Sequence, residues 1–211
     1  MCLIKVDNIS YEYKKSVPVL TQFSAEFDKG KVYAILGASG SGKTTLLSLL
    51  AGLDICKQGD IYYQGAGLKN ISCDKYRAYN VGMIFQQFNL LHRFNALENV
   101  LIGMEISDYK IENRISYAES LLEDFGITKE KRHRKVIELS GGEQQRVAIA
   151  RAISHQPDII LADEPTGSLD ETNQKYIIEK LVSLARADDK CVILSTHSKD
   201  VAGYADCVIR L

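Results

Sequence analysis

Eight consecutive residues, Gly37-Ala38-Ser39-Gly40-Ser41-Gly42-Lys43-Thr44, have the form G-x-x-x-x-G-K-T. Glycines without a Cβ let backbone N–H groups turn inward around an anion. Lys43 at the end of such a loop can reach the β- and γ-phosphates of a nucleotide, and the Thr44 hydroxyl can bind Mg²⁺. The stretch therefore reads as a phosphate-binding loop. A Gly/Ser turn that binds nothing is the plainer alternative. The flanks decide between them: an apolar run, 32–36, precedes the loop, and Thr45-Leu46-Leu47-Ser48-Leu49-Leu50-Ala51 follows it as a helix pattern. Strand, glycine loop, helix is the context that phosphate chemistry requires, because the helix N-terminus adds unpaired N–H groups and partial positive charge.

Further groups fit the same chemistry. Asp163 and Glu164 follow the apolar run 159–162, and a carboxylate at the carboxyl end of such a strand lies where α/β sheets bind ligands. Asp163 is suited to Mg²⁺, directly or through water, and Glu164 to polarising an attacking water. Alone, the pair would be an acidic turn closed by Pro165; beside a phosphate loop the catalytic reading is favoured. Ser140-Gly141-Gly142-Glu143 has the spacing of a helix capping box. Yet two glycines in a first helical turn disfavour the helix while easing close approach of an anion, so capping and phosphate contact are both open. Gln86 ends an apolar run and could sense Mg²⁺ or water at the γ-phosphate; Gln87 is its neighbour and competitor. His197 follows another such run and could hydrogen-bond the γ-phosphate, or be structural. Asp170 precedes a helix pattern, where an N-cap is the simple reading.

The elements that must position these groups come from periodicity. Runs at 2–6, 19–27, 31–36, 60–63, 81–85, 159–162, 191–194 and 207–211 are strand-like. Helical spacing predicts helices at 96–104, 111–125 (Ile111, Ile115, Ala118, Leu122 and Phe125 inward, Gly126 as stop), 143–153 and 171–187. Roughly 88–154 reads as a helical insertion in an α/β domain with a mostly parallel sheet. The basic stretch 129–135 reads as a solvated loop rather than a patch for an anionic partner.

Composition narrows the function classes. A length of 211 residues fits one domain or one with an insertion. The net charge of −1 gives no global case for nucleic acid or an anionic membrane as partner. No apolar run approaches about 18 residues, so no membrane span is expected, and 1–10 lacks a signal-peptide layout. Five scattered cysteines without a C-x-x-C pair point to reduced thiols in the cytoplasm rather than disulfides or zinc.

With these residues laid out, the chain resembles the ATP-binding subunit of ABC transporters over essentially its whole length. The phosphate loop alone would indicate only some P-loop nucleotidase. Leu139-Ser140-Gly141-Gly142-Glu143-Gln144-Gln145-Arg146 matches the family signature and is far more specific. The order also agrees: Gly37 to Thr44, Gln86, Leu139 to Glu143, Asp163-Glu164, Ser168-Leu169-Asp170, His197. The resemblance implies a P-loop NTPase α/β fold with an N-terminal antiparallel β-subdomain, one ATPase domain over 1–211, with 1–87 and 155–211 as core and 88–154 as helical subdomain. It implies ATP and Mg²⁺ as ligands. Gly37, Ala38, Ser39, Gly40, Ser41, Gly42, Lys43, Thr44 and Thr45 would wrap the phosphates, and Tyr13 would stack on adenine with Tyr11 as competitor. Thr44, Asp163 and Gln86 would serve the metal. Glu164 would be the general base, His197 the switch histidine, and Asp170 a cross-dimer residue. Two copies would pack head to tail, so that Ser140, Gly141 and Gly142 contact the γ-phosphate held by the other copy.

The resemblance extends to partners. Phe85 to Leu91 and the helix after them look like the face that meets separate transmembrane permease subunits, which would hold the protein on the cytoplasmic face of the membrane. Phe85-Gln86-Gln87-Phe88-Asn89-Leu90-Leu91 and Glu98-Asn99-Val100 look most like the branch serving lipoprotein release, macrolide or antimicrobial-peptide export and cell-division complexes. Ser198 departs from the family, which usually has Asp there, and Ile137-Glu138 replaces a frequent proline-containing pair. The end at Leu211 suggests a minimal subunit. The competing readings are a membrane signalling regulator and a non-transport repair or ribosome-associated ATPase; the second usually carries a coiled-coil insertion or a second linked ATPase domain, neither of which this sequence shows.

Overall fold

A computed structural model describes residues 2–13, 18–107, 110–167 and 169–211. The first two strands, β1 (Cys2–Glu12) and β2 (Pro18–Asp28), form a hairpin, and β3 (Val32–Leu36) leads into the glycine loop and α1 (Lys43–Leu50). Next come β4 (Gln58–Tyr63), β5 (Ala66–Gly67), α2 (Cys73–Asn80) and β6 (Val81–Ile84). Four helices follow: α3 (Ala96–Ile106), α4 (Arg114–Asp124), α5 (Lys129–Arg132) and α6 (Gly141–Ile153). The chain closes with β7 (Ile159–Asp163), α7 (Glu171–Asp188), β8 (Cys191–Thr196), α8 (Lys199–Ala202) and β9 (Cys207–Arg210).

The strands make two sheets: an antiparallel one in the order β2-β1-β4-β5 and a parallel one in the order β6-β7-β8-β3-β9. The parallel strands β3, β7 and β8 are apolar along almost their whole length because both faces of this sheet are covered. Alternation along each strand sorts its side chains between two cores. Val32, Ala34, Ile160, Ala162, Val192 and Leu194 join the core made with α3, α4, α6 and α7. Their neighbours Tyr33, Ile35, Ile159, Leu161, Cys191 and Ile193 join α1 and the antiparallel sheet on the other face. The helices between β6 and β7 thus share a core with the parallel sheet.

Several elements depart from the periodicity reading. The helix α2 was not expected: Tyr76 is its one buried residue, so it carries no apolar stripe. It is held by the Ser72 side chain accepting from Lys75 N–H and by Tyr76 Oη donating to Leu50 O at 2.9 Å. The strand β1 runs on to Glu12, past irregular pairing near Asn8, whose φ is 50°. In α4, Ile115 faces outward, 57% exposed, whereas Ala118, Leu121, Leu122 and Phe125 are buried. The helix begins only at Asn113, whose side chain caps Ser116 N–H, so Ile115 sits in the first turn beyond the core. Gly126 does end it, with φ 71° and its N–H donating to Glu123 O. The basic stretch is not simply a solvated loop. It forms α5, where Arg132 is buried and donates to Glu123 at 2.8 Å, and Lys131 pairs with Glu143.

Candidate functional site

The glycine loop joins the carboxyl end of β3 to α1. Gly42 is the N-cap of α1 with φ 100° and Gly40 has φ 82°, conformations that L side chains rarely adopt. Gly37 needs its hydrogen for another reason: a Cβ there would lie 2.8 Å from the backbone oxygen of Leu211 and 2.4 Å from Ser41 Oγ. The first turn of α1 holds no acidic residue and its N-cap supplies no side-chain acceptor. Ser41 Oγ is buried without a partner. Lys43 is only 5% exposed, and its ammonium donates to Gly37 O at 3.0 Å and Ala38 O at 2.9 Å. A helix start without a side-chain cap, an orphan hydroxyl and a buried cation together form a cradle that fits a phosphate group.

Acidic groups approach this cradle from the sheet. Thr44 Oγ1 donates to Asp163 Oδ2 at 2.8 Å. Ser195 Oγ donates to Asp163 Oδ1 at 2.6 Å and accepts from Glu164 N–H at 2.9 Å. Glu164 leaves β7 with φ 44°. That turn aims its carboxylate between two basic groups: Oε1 lies 3.6 Å from Lys43 Nζ, and Oε2 3.3 Å from His197 Nδ1. Hard oxygens on Thr44 and Asp163 match what Mg²⁺ selects. Glu164 is suited to take a proton, and the lysine to offset anionic charge.

A cavity of about 640 Å³ opens over these groups. Ser39, Gly40, Gly42, Lys43, Thr44 and Thr45 line it from the loop and α1; Glu164, His197 and Gln86 line it from the sheet. Gln86 reaches the cavity whereas Gln87 does not line it. Tyr13 also lines it, 62% exposed, with its hydroxyl 2.9 Å from Thr45 Oγ1; Tyr11 packs edge-on behind, with ring centroids 5.2 Å apart. Gly37, Ala38, Ser41 and Asp163 do not line it; Gly37 and Ala38 are tied to it through Lys43, and Asp163 through Thr44.

The structure does not bring Ser140, Gly141, Gly142 or Asp170 to this cavity. Ser140 forms a complete capping box: its Oγ accepts from Glu143 N–H, and Glu143 Oε2 accepts from Ser140 N–H at 2.8 Å. Burial alone would raise the Glu143 pKa, but the hydrogen bonds from Lys131 and Ser140 outweigh it and hold the carboxyl at about 2. A Cβ on Gly141 would meet nothing within 4 Å, and one on Gly142 only ordinary contacts from 3.6 Å outward. Packing within the described chain therefore gives no reason for either glycine. Asp170 caps α7, accepting from Asn173 N–H at 3.0 Å, which lowers its pKa. Asn173 in turn accepts from Arg146 of α6 at 2.9 Å, tying the two helix starts together. Ser168 lies outside the described residues.

Sequence reasoning missed Ser195 and Val19, which lines the cavity from β2. The signal for Ser195 is a hydroxyl continuing an apolar strand run, but its meaning depends on lying opposite Asp163 in the sheet register.

The comparisons agree with this geometry. A family model described as "ABC transporter" matches residues 20–167. The chain is 45% identical to the uncharacterized ABC transporter ATP-binding protein YclH of Bacillus subtilis, covering 100% of this chain and 94% of that protein. It is 40% identical to the lipoprotein-releasing system ATP-binding protein LolD of Francisella tularensis, covering 95% of this chain and 88% of that protein. Among solved structures it matches a dimeric post-hydrolysis state of the ATP-binding cassette MJ0796 bound to ADP and Pi, with a TM-score of 0.91 and 33% identity over 99% of this chain and 94% of that one. Among the described residues no helix is long and apolar enough to cross a membrane.

Proposed function

The chain belongs to the ABC transporter ATP-binding family, and on that premise we propose that it is the ATP-hydrolysing subunit of a membrane complex that exports, or transmits force to, peptides, lipoproteins or drugs. The observation that carries the reading is Glu164: a carboxylate set between Lys43 and His197 at the mouth of a phosphate cradle. Water attacks the γ-phosphorus in line with the departing ADP. Glu164 takes the water's proton, while Lys43 and the loop N–H groups offset the charge on the transferring group. His197 holds Glu164 in position. Thr44 and Asp163, with Gln86 at the rim, would hold Mg²⁺, which neutralises charge on the β- and γ-phosphate oxygens. Tyr13 supplies a face for the adenine.

Gly141 and Gly142, unexplained by packing in their own chain, are read as the close-approach surface for the γ-phosphate held by a second copy, in a head-to-tail homodimer. Asp170 would lie at the same seam. Permease subunits would meet 85–91 and α3 on the cytoplasmic face of the membrane. The ATPase unit is taken as the whole of 1–211, with 88–154 as its helical part.

The experiment is a capture on Glu164→Gln. This variant should bind ATP but turn it over at least about 100-fold more slowly. Tagged, trapped with ATP and Mg²⁺ and extracted from membranes in mild detergent, it should retain a multi-span protein with a large extracytoplasmic domain. Near-normal turnover would remove Glu164 as base. Recovery of only soluble proteins, ribosomes or nucleic acid would overturn the transporter reading.

A further inference from the structure

The Ser195 hydroxyl occupies a place that no part of the hydrolytic scheme above uses. Strand pairing sets Ser195 of β8 opposite Asp163 of β7, the last residue of its strand. Ser195 is fully buried, and Asp163 is 7% exposed. The next residue, Glu164, has φ 44°, in the left-handed region, and its N–H goes to a side chain rather than to a ladder carbonyl. Ser195 Oγ accepts that N–H at 2.9 Å and commits its single proton to Asp163 Oδ1 at 2.6 Å. Asp163 Oδ2 is left to Thr44, at 2.8 Å. One side chain thus fixes both the rotation of the Asp163 carboxylate and the backbone from which Glu164 projects toward Lys43 and His197.

We propose that Ser195 is a positioning residue for ATP hydrolysis, coupling the orientation of Asp163 to that of Glu164; this rests on the ATPase reading above. Without the hydroxyl, two buried polar groups lose their partner together: Asp163 Oδ1 and the Glu164 N–H. Asp163 then keeps only its Thr44 bond at Oδ2, and Glu164 loses the anchor of its strained turn. Ser195 does not line the nucleotide cavity, and Thr44 still holds Asp163, so ATP affinity should change little.

The test compares Ser195→Thr with Ser195→Val in the full chain. The two side chains have the same shape and branching, suited to a strand, and differ in the hydroxyl. The Thr variant should keep turnover within about threefold of the parent, whereas the Val variant should lose at least about tenfold in kcat. KM for ATP and the affinity for a fluorescent ATP analogue should stay within about twofold in both. In a Glu164→Gln background, Ser195→Val should cause little further loss, because its effect passes through the missing carboxylate. Equal turnover of the Thr and Val variants overturns the proposal, and so does a full tenfold loss persisting in the Glu164→Gln background. If the branched pair fails to fold, Ser195→Ala, which cannot overpack, should show the same kcat loss at constant KM; unchanged kcat overturns the proposal equally. Normal turnover of Glu164→Gln alone refutes the base assignment on which the proposal rests, an outcome distinct from equal turnover of the Thr and Val variants.

Discussion

Replacing Lys43 with methionine separates two roles that the geometry alone superimposes. The Lys43 side chain is 5% exposed, and its ammonium is bonded to the Gly37 and Ala38 carbonyls and lies 3.6 Å from Glu164. It could serve only as a staple for its own loop. On the folding side, burying an ammonium costs several kcal/mol, and its bonds return about that much, so exchange for an apolar side chain of similar length should change stability by no more than about 1–2 kcal/mol. Glu164 keeps His197 at 3.3 Å, and the two carbonyls lose a donor without leaving an N–H stranded. On the binding side, a unit charge about 4 Å from a phosphate charge at an effective dielectric near 20 contributes about 4 kcal/mol. Giving up two carbonyl bonds to reach the phosphate returns about 1 kcal/mol each. The remaining 2 kcal/mol or so corresponds to roughly 30-fold weaker ATP binding. Titration with a fluorescent ATP analogue measures the affinity, and thermal unfolding without nucleotide measures the fold. The variant should melt near the parent and lose most of the ATP-induced rise in melting temperature. Unchanged affinity with a stability loss above about 3 kcal/mol would refute the phosphate role and leave Lys43 a loop staple.

Two further outcomes follow from the packing. In Gly82→Ala, the new methyl would lie 2.4 Å from Ala152 O and 2.9 Å from Pro157 Cγ, where backbone and ring cannot give way. The expected destabilisation is about 1–3 kcal/mol, read as a lower urea midpoint; an unchanged midpoint would mean that β6 and α6 can separate freely. The Glu143 carboxyl titrates near 2 in the fold against an ordinary 4.5, so its stabilising contribution is complete above about pH 4.5 and is lost as pH falls toward 2. Denaturant midpoints of the parent and of Glu143→Gln should therefore differ at pH 7 and converge in acid; a constant gap would show that the capping box does not depend on the charge.

The parts of this protein legible in its sequence are those whose physics is local. The phosphate loop announces itself because strand, glycines, Lys43 and helix are contiguous, and a backbone nest is built from neighbouring N–H groups. The Ser140–Glu143 capping box spans one helical turn and is formed as its spacing predicts. The buried parallel strands show as apolar runs because both of their faces are covered. Elements whose partners are distant or polar were not legible. Helix α2 buries one side chain, and Ile115 has apolar spacing but sits a turn ahead of the core. The basic stretch at α5 gains its meaning from Glu123 and Glu143, which chain order does not put beside it. Only the tertiary structure shows that Gln86 and Tyr13 line the cavity while Gln87 and Tyr11 do not, since adjacent or alternate residues look equivalent along the chain. It alone joined Thr44, Asp163, Ser195 and Glu164 into one hydrogen-bonded chain. Residue types determine what chemistry is available; which groups meet is decided by strand order and register, because a hydrogen bond needs its two atoms within about 3 Å whatever their separation along the chain.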